Sequence, residues 1–542
     1  MATDGGSVPA PPAPAVGSDS RPAAEGRPFR LFRTVLGVCL TGYTFFRNGF
    51  AHLQIPGVPI YPGEIALAAG LPMAASAEGR RRIRAILATW PGALLLAWIA
   101  FGWIRALPDV PKFGFLALRD VSLCTYALFA FLAAAACPEG LRWGDILRRV
   151  RYGYPFFLLV LPIASAVYLG QWKNGLPPEG WQSNPLAIRA DFASLLVCSL
   201  AILYVLSCIR GGGLRIRAGL FLLLAGGEAM FLSLMARTAF LNFVFGAALM
   251  VFFFGRRPAA WFAAGWIAAF GIFWAGDIQV DFRTTRDISA RKWAMGLRES
   301  LSPIIGPPTR SVLVRPPRRV NKVPKKSPSS KTPVPKETIP TKAKPVTAVP
   351  PKSPIPTVVV VKTGDWEGTM KWRIEVWRRG LSEAWADPIS RFIGLGFGRD
   401  IFFENDWGAK FSSYSRGLRA PHNAHVTVAV RMGGVGLALW LAFHAALVAA
   451  LWRALRNSRG AWAARNPADG QWLDAGMLRW AICYVTLSIF TATFNVILEG
   501  PMGAVWHWTA VGVALAMAAR FLSAAPTISP SGPVDVQDGP RT

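Results

Sequence analysis

Charge is scarce in this sequence: Asp, Glu, Lys and Arg together make up 16% of 542 residues, where a soluble domain carries roughly a quarter. That shortfall excludes an ordinary soluble fold. Cysteine is scarce too. The six present (Cys39, Cys124, Cys137, Cys198, Cys208, Cys483) fall in or at the edge of apolar runs, without a CxxC. This excludes a disulfide framework and leaves small buried hydrophobes. Histidine occurs only five times, so each one is a candidate for chemistry. Residues 1–29 are rich in Ala, Pro, Gly and Ser and lack an apolar segment of signal-peptide type, so a disordered tail is expected there.

What is abundant is apolar sequence, 52% of the chain, with a mean hydropathy of +0.34. Apolar runs lie near 32–50, 60–77, 86–106, 114–137, 153–171, 188–208, 217–235, 237–254, 259–276, 422–452, 475–496 and 502–522, twelve in all. Runs of about 18 or more residues suffice to cross a bilayer core of about 30 Å. The fold class expected is an all-α polytopic membrane protein of about twelve spans, with one large exported loop carrying short helices. The 422–452 run is long for one span, which implies tilt or an extension beyond the bilayer.

The formal charge of +29 does not point to nucleic acid, because no recognition motif accompanies it. Much of it sits in short loops: Arg80 to Arg84, Arg148 to Arg151, Arg210 to Arg217, Arg256-Arg257 and Arg453 to Arg465. Basic clusters of this kind stay cytoplasmic. With both termini inside, all five land inside and residues 277–421 are exported. The chain divides into a tail (1–29), nine spans (30–276), the exported loop (277–421), three spans (422–522) and a second tail (523–542).

Within the loop, 302–362 is Pro/Lys-rich. From Arg310 to Lys352 it holds twelve basic residues and one acid, Glu337. Proline this dense forms neither helix nor sheet. It reads as a solvated tether, or as a segment that holds anionic headgroups or acidic glycan.

Ionisable residues in spans are functional hypotheses by default. Glu64, Arg119, Asp120, Arg189, Asp191 and Glu499 fall at or near outward ends, and Arg237 lies in the outward turn of SLMARTAFLNF with no acidic sequence neighbour. The Arg119-Asp120 and Arg189/Asp191 pairs read as structural ion pairs. Arg237 suits an anionic ligand, since guanidinium forks match phosphate oxygens. Glu228, nine residues earlier, would lie about 13 Å deeper.

The exported loop carries WEGTMKWRIEVWRRG, an amphipathic helix with Met370, Ile374 and Trp377 on one face and Arg373 between Trp372 and Trp377. Interfacial anchoring explains it as well as ligand binding does. GLGFGRD lacks the strand-before, helix-after setting of a dinucleotide site. Its glycines, Gly396 among them, suit a tight turn and close backbone approach. Pro421-His422-Asn423 precedes an apolar run, and proline favours helix starts, which places His422 in the first turn. His422 reads as an interfacial polar residue, a hydrogen-bonded helix end, or a general base, since imidazole is largely neutral at pH 7. His425 is one turn on, but no acid or histidine nearby in sequence completes a metal set. His444 and His507 read as span histidines and His52 as a loop residue.

Together these residues resemble the O-antigen ligase / O-antigen polymerase (WaaL/Wzy-type) superfamily of integral-membrane glycosyltransferases. The resemblance rests on ARTAFL at Arg237, the helix from Arg373 to Trp377, DP…GLGFG, PHN followed by Gly433-Gly434-Val435-Gly436, and FNVILEGPMG at Glu499. It spans most of 30–520 and does not separate the superfamily's members. It implies a GT-C-like helical bundle in a bacterial inner membrane. The donor implied is a glycan on undecaprenyl diphosphate; the acceptor is a glycan or a lipid A core in the outer half of the membrane. It further implies His422 as catalytic base, Arg237 and Arg373 on the diphosphate, and Asn423, Glu499 and Gly396 in support. Neither metal nor nucleotide cofactor is called for; membrane lipids and glycan-assembly proteins are the other partners expected. Two departures stand out: the 302–362 insertion, and Arg431 where members often carry an acid. Along a helix Arg431 would lie about 13 Å below His422, placed to pair with Glu228 or Glu499.

Ligase and polymerase remain open alternatives, as does an oligosaccharyltransferase acting on exported protein. Against a transporter stand the lack of internal repeats and the polar residues gathered at the outer face instead of the midplane.

Overall fold

The computed structural model describes residues 26–51, 53, 60–137, 143–174, 189–209, 216–276, 279–282, 286–289, 294, 366–401, 421–458, 471–495 and 497–523. Residues 1–25 and 524–542 of the two expected tails, the 302–362 insertion and His52 lie outside the described residues. The first tail ends sooner than expected, because helix already begins at Arg27 and Phe29 is buried against the bundle.

Helices run along nearly the whole described chain: α1 (Arg27–Phe45), α2 (Arg47–Ala51), α3 (Pro62–Ala75), α4 (Ala77–Leu87), α5 (Trp90–Ala106), α6 (Val110–Phe113), α7 (Phe115–Thr125), α8 (Leu128–Ala136), α9 (Trp143–Asn174), α10 (Ala190–Ile209), α11 (Ile216–Met235), α12 (Arg237–Phe254) and α13 (Arg256–Ala275). After the loop come α14 (Trp366–Ala384), α15 (Pro388–Ile393), α16 (Ala424–Asn457), α17 (Gln471–Ala492) and α18 (Pro501–Ser523). A small antiparallel hairpin joins Gln279–Phe282 with Arg286–Ser289, in register Gln279 to Ser289.

Eight described helices are long and apolar enough to span a membrane, or nine if the bent pair α7/α8 counts as one. The chain is a multi-pass membrane protein. Each of the twelve apolar runs is helical, but not all qualify as spans. Helix α3 has 14 residues, about 21 Å at 1.5 Å per residue, because Ser76 ends it and caps α4 by accepting from the Gly79 amide at 3.0 Å. Helix α10 is the central post: 83% of its span is buried, against 22% for the peripheral α13. An apolar helix buried all round belongs to a core.

Helix α16 is not the tilted span its length implies. It breaks at Gly433, whose φ of 64° and ψ of −164° are non-helical. Trp440 Nε1 nonetheless donates to His425 Nδ1 at 2.9 Å. In a straight helix fifteen residues put them about 22 Å apart along the axis, a gap these side chains do not bridge, so the two legs fold sharply toward each other. The leg after Gly433 makes the span, with Trp452 reaching the far end of α12 at Phe253. The leg 424–432 stays at the end where α10 begins and α17 finishes, called the upper end below.

The break releases carbonyls. Those of Val430 and Arg431 lose their helical partners and accept instead from the amides of Leu395 (2.8 Å) and Gly396 (3.1 Å). A segment of the long loop thereby docks onto the kink as a short strand-like pairing. Only glycine fits both sides: a Cβ on Gly433 would sit 2.4 Å from the Phe392 carbonyl, and one on Gly394 would sit 2.3 Å from that of Arg431.

Candidate functional site

Asn423 is the N-cap of α16: its Oδ1 accepts from the amides of His425 (3.0 Å) and Val426 (3.1 Å). The helix therefore starts at Ala424, and Pro421 and His422 precede it; the expectation of His422 in the first turn is corrected. Asparagine's capping preference outweighs the proline signal here. His422 sits in the left-handed region, φ 54°. For a non-glycine residue this costs on the order of 1–3 kcal/mol and persists only where neighbours impose it. Those neighbours are Pro421, whose carbonyl accepts from Trp377 Nε1 at 2.6 Å, and the Asn423 cap.

Helix α14 packs on the short leg of α16 through Val376, Ala384, Val426 and Val430, with Trp377, Leu381 and Leu395 alongside. This corrects the face expected to hold Ile374 with Trp377. Ile374 is 52% exposed, whereas Trp377 is pinned inward to Pro421. The same packing turns Arg373 toward the bundle, where its Nη1 donates to the Phe494 carbonyl at 3.1 Å, just past α17.

Three charged groups, Arg373, Arg189 and Asp191, act at His422. Burial, with Arg373 and then Arg189 nearby, pushes its pKa down to about 4, while Asp191 opposes the shift. The imidazole is therefore neutral at pH 7 and able to accept a proton. Arg189 Nη2 lies 3.4 Å from Asp191 Oδ2 and donates to Asn495 Oδ1 at 3.3 Å. Beneath them, Asn242 Nδ2 donates to Ser194 Oγ (2.9 Å), and Thr491 Oγ1 donates to Asn242 Oδ1 (2.9 Å). This ties α10, α12 and α17 together. Helix α12 begins at Arg237, five residues before Asn242, hence about 7.5 Å nearer the upper end. Arg237 thus shares that end with His422 and Arg373, although the charges felt at His422 are those of Arg373, Arg189 and Asp191.

Glu499 stands one layer back. Thr427 Oγ1 is 2.7 Å from Glu499 Oε1 and 3.1 Å from the Asn423 carbonyl. Burial raises the Glu499 pKa, against the Thr427 hydroxyl, which donates to the carboxylate, and the Arg431 and Arg189 charges that lower it.

The expected approach of Arg431 to Glu499 is felt as a charge that lowers the Glu499 pKa; the direct partners of Arg431 are on α7 and the glycine run. Its Nη2 lies 3.0 Å from Asp120 Oδ2, and its Nη1 donates to the Gly396 carbonyl at 3.2 Å. Glu228 instead faces Arg47. The reason is the break at Gly433, which keeps Arg431 at the upper end beside α7. Gly396, φ 87°, is held in this clamp; a Cβ there would lie 2.1 Å from Asp109 Oδ2. Asp109 Oδ2 accepts from the Phe397 amide (2.8 Å) and Asp120 Oδ2 from that of Gly398 (3.0 Å). The glycine run is a docking element braced by Arg105, Asp109, Asp120 and Arg431.

His425 is committed elsewhere. Its Nδ1 accepts from Trp440, so its Nε2 carries the proton and faces the Ile489 carbonyl (3.3 Å) and Thr493 Oγ1 (3.2 Å). Its ring does not join His422 in a metal pair, and among the described residues no three His, Cys, Asp or Glu gather to hold a metal ion. All six cysteines are free thiols.

Arg189 forms the ion pair with Asp191 that its sequence position suggests, and its charge additionally reaches His422, which the sequence does not signal. Away from this site, Arg47 is buried and left-handed (φ 50°); its signal is an arginine inside an apolar run.

No family model and no curated protein matches this chain.

Proposed function

We propose that this chain is a membrane glycosyltransferase. It transfers or polymerises a glycan carried on undecaprenyl diphosphate, at the outer face of a bacterial inner membrane, with inversion and without a metal. The upper end is then the exported face, both termini are cytoplasmic, and the shorter or more charged helices α1, α3 and α9 complete twelve spans. The observation that carries this reading is His422: a neutral imidazole in a left-handed bend, with two guanidinium groups close enough to depress its pKa.

The chemistry needs little more. The acceptor hydroxyl oxygen attacks the anomeric carbon as His422 takes its proton. The carbon–oxygen bond to the diphosphate breaks, and the electron pair leaves on that oxygen. Arg373 and Arg189, with Arg237 from the same end of the bundle, offset the charge that develops there. Attack from the face opposite the departing group inverts the centre. Asn423 fixes the bend that presents the imidazole; Glu499, Thr427 and the Gly396 clamp hold the leg on which Asn423 sits.

The test is complementation in cells with the chain deleted. His422→Ala and Arg237→Ala should each abolish surface glycan while the protein remains inserted. Electrophoresis then separates the members: single-repeat products mark a polymerase, whereas accumulated lipid-linked chains mark a ligase.

A further inference from the structure

A cavity opens at the end of the bundle opposite His422, between α9, α10 and α11. Its volume is 1020 Å³, and Arg151, Tyr152, Tyr204, Ser207, Arg217 and Phe221 are among the residues that line it. Arg217 lies eighteen residues from the upper end of α11 at Met235, about 27 Å along the axis and close to the thickness of a bilayer core. The cavity therefore sits at the other headgroup level from His422 and has no part in the reaction proposed there.

Two guanidinium groups face this space, and no carboxylate is among its described lining residues. The floor is aromatic: Tyr204 and Phe221 meet edge to face at 5.5 Å. From its mouth two apolar ladders run toward the midplane. On α9 these are Phe156, Leu159 and Ile163, 57%, 62% and 55% exposed; on α11 they are Ile216, Leu220 and Leu224, 76%, 51% and 55% exposed. Spacings of three and four residues keep each ladder on one helix face.

We propose that this cavity binds an anionic glycerophospholipid. The phosphodiester lies between Arg151 and Arg217, the glycerol rests against Tyr152 and Tyr204, and the acyl chains follow the two ladders. Guanidinium groups suit phosphate oxygens, and basic pockets between spans take anionic headgroups. The ladders are what separate a lipid from a small anion, since free phosphate has nothing to lay along them.

The experiment is native mass spectrometry of the purified full chain in detergent, with dioleoyl phosphatidylglycerol, dioleoyl phosphatidylcholine or inorganic phosphate as probe. Phosphatidylglycerol should be retained in preference to phosphatidylcholine, and millimolar phosphate should not displace it. The pair Arg151→Gln/Arg217→Gln should weaken retention about 25-fold, the order expected if each arginine contributes about fivefold. Arg149→Gln removes the same charge from the same helix outside the cavity and should leave retention unchanged. Equal retention of both lipids, displacement by phosphate, or an equal loss in Arg149→Gln overturns the proposal. If the glutamine pair does not fold, the comparison of probes on the unaltered chain still decides.

Discussion

Arg431 and Asp120 form a 3.0 Å ion pair with side chains only 4% and 7% exposed, joining the short leg of α16 to α7. Neither charge is easily abandoned, because removing one partner leaves the other buried without its counter-charge, at about 3–5 kcal/mol. Asp120 also accepts from the Gly398 amide, so Asp120→Ala should both lower thermal stability by that order and release the docked glycine segment. A double-mutant cycle with Arg431→Met measured by thermal unfolding in detergent should give a coupling of about 0.5–3 kcal/mol. Additive effects would mean that the pair is incidental.

Gly433→Ala tests the break. Its φ and ψ belong to a region essentially restricted to glycine, and a Cβ would collide with the Phe392 carbonyl and Gly394 nitrogen. The variant should straighten or destabilise α16, break the Trp440–His425 bond and reduce activity, although no side chain at His422 has changed. Indole fluorescence of Trp440, in a background where other tryptophans are replaced, reports that bond.

The spans were readable because apolar runs near bilayer length leave few alternatives to helix. His422 and Arg373 were readable for a different reason: a scarce polar residue beside proline or tryptophan at a span's edge stands out. The break was not readable. Gly433-Gly434-Val435-Gly436 lies within an apolar run, and glycines there are compatible with an unbroken span. Only the docked segment from residues 392–396 fixes the turn. Arg431's partner was hidden for the same reason, since its depth had been reckoned along a straight helix. The Arg189–Asp191 pair was legible because the two are sequence neighbours, whereas the reach of both charges to His422 was not, since it converges from another helix.

Arg189→Gln separates its two roles. As a structural ion-pair member it would affect folding alone. As a charge on the departing diphosphate, its loss should lower kcat/KM about 10²- to 10³-fold, the order seen when one stabilising donor is removed. Arg189→Lys should restore only part, because an ammonium lacks the planar fork. Both are measured by initial rates of glycan transfer at constant protein insertion.

The pH profile carries a signed expectation. Burial and the Arg373 and Arg189 charges disfavour imidazolium at His422, so the competent neutral form persists well below pH 6.5. The acid limb of kcat/KM should fall near pH 4. Arg373→Gln removes one of the charges that depress the pKa and should move that limb upward, in addition to weakening the donor. An acid limb at pH 6.5 in the unaltered protein would show His422 to be solvated and away from the arginines.

The most direct measurement is single-turnover transfer in proteoliposomes, with undecaprenyl-diphosphate-linked oligosaccharide as donor and purified His422→Ala or His422→Gln in place of the parent chain. Loss of a general base should slow transfer by about 10²- to 10⁴-fold while donor binding is retained. Transfer at the parent rate in both variants would contradict the assignment of His422 as the base.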